Sequence, residues 1–320
     1  MQSQQLKQQP QQIKKIEGSS TSPYGKIKFE VNKQSQNSPS ILKEIGQYVY
    51  NMNDILGTGE FSSVYKGQDQ NTNETVAIKI IDRKSIQNNQ IFRNLLVNEI
   101  NILKSVDNKC LLKLYNYLET MNNIYIVTEF CSDGDLQSII EKKGYLPEHN
   151  AVKILKHLIK ALLYLKERNI VHRDIKTQNI LVSNQIPKLA DFGFAVDLNQ
   201  PQTREILQIG TPLYMAPEIY SHYQYSSKTD LWALGIVFYE MLFGKVPFNA
   251  KNPKELEQMF QIHRKTQNIQ YDNGPQKITE VAQDFINSIL VIDPKQRFDI
   301  SQAANHPLIQ NPHPHANKQN

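Results

Sequence analysis

The stretch Val171-His172-Arg173-Asp174-Ile175-Lys176-Thr177-Gln178-Asn179 concentrates ionisable and amide side chains between two apolar runs, Ile170-Val171 and Ile180-Leu181-Val182. A polar segment flanked by β-rich apolar residues cannot be buried unpaired, so a rigid loop between two short strands is expected. The chemistry that suits these groups is phosphoryl transfer. It calls for a carboxylate at the attacking hydroxyl, a cation at the transferred phosphate and a side-chain oxygen on a metal ion. Asp174, Lys176 and Asn179 supply these in order.

Elements on either side must position that loop. Tyr48 to Leu56, Ser63 to Gln68 and Thr75 to Ile81 read as strands with polar turns between them. Between the first two lies Leu56-Gly57-Thr58-Gly59-Glu60-Phe61-Ser62-Ser63-Val64, where glycine lets the backbone approach phosphates that a Cβ would push away. Taken alone, a glycine-containing hairpin is a common structural feature. Its strand–turn–strand setting argues against a dinucleotide fold, which needs strand–turn–helix. Apolar residues at helical spacing (Leu95, Leu96, Ile100, Leu103) predict a helix over Asn89 to Val106, and two strands follow around Leu111 to Glu119 and Asn123 to Phe130. Beyond Gly134 the signals are mostly helical: Leu136 to Lys143, Glu148 to Arg168, Ser227 to Phe243, Pro253 to Arg264 and Glu280 to Val291. Val76-Ala77-Ile78-Lys79 puts a lysine on an apolar strand, and Glu99 falls on the first helix. Either charge alone reads as a surface group.

Together these segments resemble the eukaryotic protein kinases, through His172-Arg173-Asp174 with Asn179, Asp191-Phe192-Gly193, Gly210-Thr211-Pro212 and Ala216-Pro217-Glu218. The resemblance implies an α+β, bilobal fold. Its small β-rich lobe with one helix would span about 48–130, and its mostly helical lobe about 131–309. It further implies ATP with Mg²⁺ as cofactors. Asp174 would orient or deprotonate the substrate hydroxyl and Lys176 would steady the γ-phosphate; Lys176 is also the serine/threonine mark of the family. Gly57 and Gly59 would border the phosphates, with Ser62 at the position of the family's third glycine. Lys79, paired to Glu99, would hold the α- and β-phosphates. Leu56, Val64, Ala77 and Leu181 would enclose adenine, and the backbone of Glu129-Phe130-Cys131 would bond its edge. Thr128 would be the small gate to a back pocket, and Asp135 would join the nucleotide side. Asp191 and Asn179 would be the metal ligands.

The same resemblance implies that Asp230 and Trp232 support the loop from below, that Arg297 pairs with Glu218, and that Leu103, Leu114, His172 and Phe192 stack between the lobes. Ala190-Asp191-Phe192-Gly193-Phe194-Ala195, Tyr214-Met215-Ala216-Pro217-Glu218 and Gly244-Lys245-Val246-Pro247-Phe248-Asn249-Ala250 are similar to the autophagy-initiating, ULK-type kinases. A pseudokinase scaffold is the rival from another class. It usually lacks the strand lysine, catalytic Asp or metal Asp, and Lys79, Asp174 and Asp191 are all present. A small-molecule kinase of related fold is a further rival, opposed by the peptide-docking segment, and a serine/threonine kinase of another branch is the nearest alternative.

Composition sets the frame. The chain has 320 residues with 39% hydrophobic, 21% charged and a net charge of +5, ordinary for a globular protein with a solvated surface. No arginine-rich arm or base-stacking module points to nucleic acid; the kinase resemblance implies protein substrates as partners, met by a monomeric domain. Cys110 and Cys131 lack metal-ligand spacing and are expected as free thiols in a reducing compartment, cytoplasmic or nuclear. The longest apolar stretch, near Leu231 to Phe243, is too short to span a bilayer. Residues 1–40, rich in Gln, Ser, Lys and Pro, and 310–320 are expected as disordered tails, with Lys26 to Val31 a local alternation within the first. Gln178 stands where arginine-directed relatives carry Glu, which predicts weak dependence on basic substrate residues. Leu207 occupies the usual activation-loop phosphosite, leaving Glu205 or a phosphorylated Thr203 to face Arg173.

Overall fold

The computed structural model describes residues 41–59, 61–199, 210–222, 225–267, 269–271 and 274–310. Residues 1–40, the expected tail past Gln310, and Thr203, Glu205 and Leu207 lie outside the described residues. The first lobe is an antiparallel sheet of β1 (Leu42–Ile45), β2 (Tyr48–Thr58), β3 (Ser62–Asp69), β4 (Thr75–Asp82), β5 (Leu114–Glu119) and β6 (Asn123–Glu129), in the order β1-β2-β3-β4-β6-β5. A one-turn helix, α1 (Arg83–Ile86), and α2 (Gln90–Ser105) are inserted between β4 and β5.

The period-2 alternation of strands gives this sheet two apolar faces. One buries Tyr48, Tyr50, Tyr65, Val76, Ile78, Tyr125 and Val127. The other buries Ile81, Ile124 and Ile126 against Phe92, Leu96 and Ile100 of α2. Lys79 lies opposite Val64 on β3 and Ile126 on β6, so it belongs to the α2 face. Asn89 starts α2 by accepting the Phe92 amide at 2.9 Å, satisfying one of the helix's open donors.

Strand β1 was not expected. It pairs with β2 from Leu42↔Asn51 to Ile45↔Tyr48, ahead of the Tyr48 start read from the sequence. The reason is visible in its burial: Leu42, Lys43 and Glu44 are all exposed, so the strand has no apolar face to announce it.

The second lobe carries α3 (Leu136–Lys143), α4 (Glu148–Glu167), short strands β7 (Ile170–Val171), β8 (Ile180–Ser183), β9 (Ile186–Leu189) and β10 (Val196–Asp197), then α5 (Pro217–His222), α6 (Ser227–Phe243), α7 (Pro253–Thr266), α8 (Glu280–Ile289), α9 (Ile300–Asn305) and α10 (Pro307–Gln310). Helix α6 is apolar almost all round and runs through the core, as a helix without a polar face must. A capping box of Ser226 and Thr229 opens it. Gly244 closes it at φ 68°, where a Cβ would stand 2.0 Å from the Gly144 carbonyl oxygen, so only glycine fits. Pairing of β7 with β10 and of β8 with β9 frames the loop Val171 to Asn179 between short strands. Among the described residues, no helix is long and apolar enough to cross a membrane.

Candidate active site

The loop after β7 is held from beneath by α6. Asp230, in the first turn of α6, accepts the amides of His172 (2.7 Å) and Arg173 (2.9 Å). Burial pushes the Asp230 carboxyl up to about 6, while those two amides pull the other way. His172 is fully buried, bonds the Ala190 carbonyl oxygen at 3.1 Å and meets the Phe192 ring edge-on at 4.9 Å. Burial drives its imidazole down to about 4, so at neutral pH it is an uncharged spacer. Leu103 and Phe192 share one core cluster, with Leu114 packed against it.

Above this base, Asp174 collects donors. Lys176 Nζ reaches Oδ2 at 2.7 Å, Asn179 Nδ2 reaches Oδ2 at 2.9 Å, and Thr211 Oγ1 donates to Oδ1 at 2.9 Å. Lys176 also donates to Thr211 Oγ1 at 3.1 Å, closing a ring that ties the loop to the Gly210-Thr211-Pro212 segment. Asn179 spends its amide nitrogen on Asp174, on both Oδ2 and the main-chain oxygen, which leaves its Oδ1 as an acceptor. A second ring lies behind it: Tyr214 donates to Glu240 Oε2 at 2.7 Å and meets Thr177 Oγ1 at 3.2 Å.

Across the cleft, Lys79 Nζ bonds both oxygens of Glu99, at 3.0 and 3.1 Å. A cavity of about 480 Å³ opens between the lobes, lined by Leu56, Val64, Ala77, Lys79, Glu99, Thr128, Glu129, Cys131, Asn179, Leu181 and Asp191 among others. The structure thus brings most of the expected nucleotide residues to one cleft. Gly57 and Gly59 sit on the hairpin above it, which is tightened by a bond from Gly59 N to Ser62 O at 2.7 Å. The Glu129 carboxylate turns away to Lys188 (2.8 Å) and the Lys113 amide (2.8 Å), and its own amide donates to the Lys113 carbonyl oxygen at 3.0 Å, so its side chain is not available to a ligand there. Burial, with Glu129 adding to it, pushes the Cys131 thiol up to about 12, which keeps it protonated.

Asp135 takes a different place. Its carboxylate caps α3, accepting the Ser138 amide at 2.8 Å and the Ser138 hydroxyl at 2.7 Å. Ser138, not Asp135, lines the cavity, as do Asn53, Asp54 and Lys66, none of which stood out in the sequence. The Asp-x-x-Ser capping spacing was the available signal.

The donor set suits a hard cation. Asp191 adopts φ 63° at the cleft floor; its carboxyl is raised by burial, and Glu99 and Asp174 raise it further while Lys79 opposes them. Such an excess of buried negative charge fits a bound cation. No group of three or more His, Cys, Asp or Glu exists among the described residues that could hold a metal unaided. Asp191 and Asn179 Oδ1 offer two oxygen ligands of the kind a hard divalent cation takes.

The family model for the protein kinase domain matches residues 50–309. The chain belongs to the protein kinase family. It is similar to serine/threonine-protein kinase ULK3 of Xenopus laevis, 39% identical over 76% of this chain and 51% of that protein. Serine/threonine-protein kinase ATG1 of Debaryomyces hansenii is 34% identical over 84% of this chain and 35% of its own length. An Aurora kinase of Encephalitozoon cuniculi is 34% identical over 80% of this chain and 92% of its own length. This kinase therefore spans about half the length of the ULK3 relative it matches. The resemblance to ULK/ATG1-type serine/threonine kinases holds on these matches, as does the bilobal fold.

Proposed function

We propose that this chain is an active serine/threonine kinase that transfers the γ-phosphate of ATP to hydroxyls of proteins, in ULK/ATG1-type signalling of the autophagy class. The observation that carries the proposal is the hydrogen-bonded ring of Asp174, Lys176, Asn179 and Thr211, whose Asn179 lines the same cleft as Lys79, Glu99 and Asp191. In this reading Asp174 accepts the proton of the substrate hydroxyl. Lys176, already charge-paired to Asp174, sits where the transferring phosphate needs a cation. Lys79, fixed by Glu99, orients the other phosphates, so much of the barrier is lowered by positioning. Asp191 and Asn179 would hold Mg²⁺, which when bound neutralises phosphate charge. Apolar Val64, Ala77 and Leu181 would sandwich the base. The kinase domain works as a monomer in the cytoplasm or nucleus.

The experiment is a phosphotransfer assay on a serine/threonine peptide array with MgATP, run on the wild type and Asp191→Asn. Transfer by the wild type and its loss in the variant are expected. A purified, folded wild type that binds MgATP but labels no serine or threonine would overturn the proposal.

A further inference from the structure

Helix α2 carries Glu99, and the residue before it makes a bond that no catalytic role requires. Asn98 Nδ2 donates to the Ala195 carbonyl oxygen at 2.6 Å, spanning 97 positions of sequence. Ala195 belongs to the short segment that begins with Asp191, and its own amide donates back to Phe192 O at 3.0 Å. The neighbouring carbonyl, Phe194 O, accepts from Arg173 Nε at 2.6 Å. Two successive carbonyls are therefore gripped from opposite lobes, one by the catalytic loop and one by α2.

Geometry gives that grip a consequence. Successive residues on a helix point about 100° apart. Helix α2 is thus pinned in two directions by adjacent side chains: Glu99 toward Lys79 on β4, and Asn98 toward Ala195. Rotating or swinging α2 to carry Glu99 off Lys79 must also break the Asn98 bond. Phe61 on the glycine hairpin packs edge-on against Phe92 in the first turn at 4.8 Å, a contact nearer the start of the helix than Asn98 and Glu99.

The bond joins two uncharged groups. The cations of α2 are committed elsewhere: Arg93 to the carbonyls of Ile86 and Gln87, and Lys104 over the Tyr117 ring at 5.0 Å. We propose that Asn98 is a positioning residue. It couples α2 to the Asp191 segment through a neutral hydrogen bond and so keeps the Lys79–Glu99 pair assembled without an activation-loop phosphate. The inference rests on the kinase proposal for its rate measurements only; its nucleotide-binding measurement stands apart.

The test uses the full chain, phosphatase-treated, as wild type, Asn98→Ala, Asn98→Asp and Asn98→Gln, with Asn98→Ala repeated in a Glu99→Gln background. MgATP affinity is read from the nucleotide-induced shift in Tm, alongside kcat and KM for ATP and for peptide. Losing this half-buried donor, and with it the partner of the buried Ala195 carbonyl, is expected to weaken MgATP binding and lower kcat/KM for ATP by about 5- to 30-fold, with KM for peptide unchanged. Asn98→Asp, which is isosteric but cannot donate when ionised, should do no better than Ala, while Asn98→Gln, which keeps the donor, should recover part of the loss. In the Glu99→Gln background the Ala change should add less than about two-fold, because the pair it protects is already gone. High salt should leave the effect in place, since a neutral bond is not screened. Wild-type ATP parameters in Asn98→Ala, or an equal loss in both backgrounds, would overturn the inference. A wild type that binds MgATP yet transfers nothing would sink the kinase proposal while leaving the binding arm readable.

Discussion

Replacing Asp174 by Asn tests the proposed base with almost no change of shape. In the native ring Oδ2 accepts from Lys176 and Asn179, and Oδ1 accepts from Thr211. Lys176 and the Asn179 amide nitrogen can only donate, so the new amide must turn its oxygen to them and its NH₂ to Thr211. Thr211 Oγ1 can accept, as it already does from Lys176 at 3.1 Å. The ring therefore survives with one reversed bond, and the variant should fold. Lost are the negative charge opposite Lys176 and the proton acceptor at the substrate hydroxyl. Positioned acid–base groups contribute about 10²–10⁴ in rate, or roughly 2.7–5.5 kcal/mol of barrier. Initial rates of peptide phosphorylation at saturating MgATP should fall by that factor, with nucleotide-induced stabilisation retained. A rate within about ten-fold of wild type would refute Asp174 as the base.

Other outcomes follow from the same contacts. Glu218→Ala strands Arg297, which is almost fully buried and holds Glu218 through two bonds at 2.7 and 2.8 Å. A loss of about 3 kcal/mol, toward the low end for a broken buried pair because Arg297 keeps the carbonyls of Val291 and Lys228, should lower Tm by roughly 6–12 °C, and an unchanged melt would reject it. His172 has its folded pKa depressed from 6.5 to about 4, so its contribution to stability is present above pH 6.5 and is lost as pH falls through 4. Denaturant melts should therefore show the stability gap between wild type and His172→Phe shrinking by up to about 3 kcal/mol over that window; a gap flat in pH would contradict the burial of a neutral imidazole. A peptide library should show no dominant arginine two residues before the acceptor. Gln178 is uncharged, Asp135 is spent on the α3 cap, and both Glu240 oxygens are engaged by Tyr214 and Thr177.

What was legible in the sequence was whatever local pattern or motif order determines. The strand reading of Thr75 to Ile81 carried Lys79, and the helical spacing of Leu95, Leu96, Ile100 and Leu103 placed Glu99 on α2; that the two would pair, as they do at 3.0 Å, came from the resemblance. The Glu218–Arg297 pair, 79 positions apart, came only through resemblance, because no local pattern links them. Strand β1 escaped notice because its residues are exposed and carry no face. The place of Asp135 was missed for a different reason. An aspartate three residues before a serine can satisfy a helix N-terminus or reach into a cleft, and only the α3 backbone decides which. The Asn98 bond had no signal at all, since an asparagine on a helix says nothing about a carbonyl 97 positions away.

The backbone around the cleft explains why α6 must carry an aspartate in its first turn. Arg173 and Asp191, each flanking a reacting group, adopt φ of 68° and 63°, a left-handed region that costs a non-glycine residue about 1–3 kcal/mol. Conformations of that cost persist only where neighbours over-determine them. For Arg173 the neighbour is Asp230, which takes the amides of both His172 and Arg173. For Asp191 the adjoining grip is the bond from Ala190 N to Asn179 O at 2.8 Å, with His172 on the Ala190 carbonyl. Asp230 is raised to about 6 by its burial, so it stays ionised at neutral pH because those two amides, with Arg173 beside it, offset part of the desolvation cost. The carboxylate at the floor of the loop and the strained Arg173 above it therefore depend on each other. Removing Asp230 would release the backbone that aims Asp174 before it disturbed any side chain in the cleft.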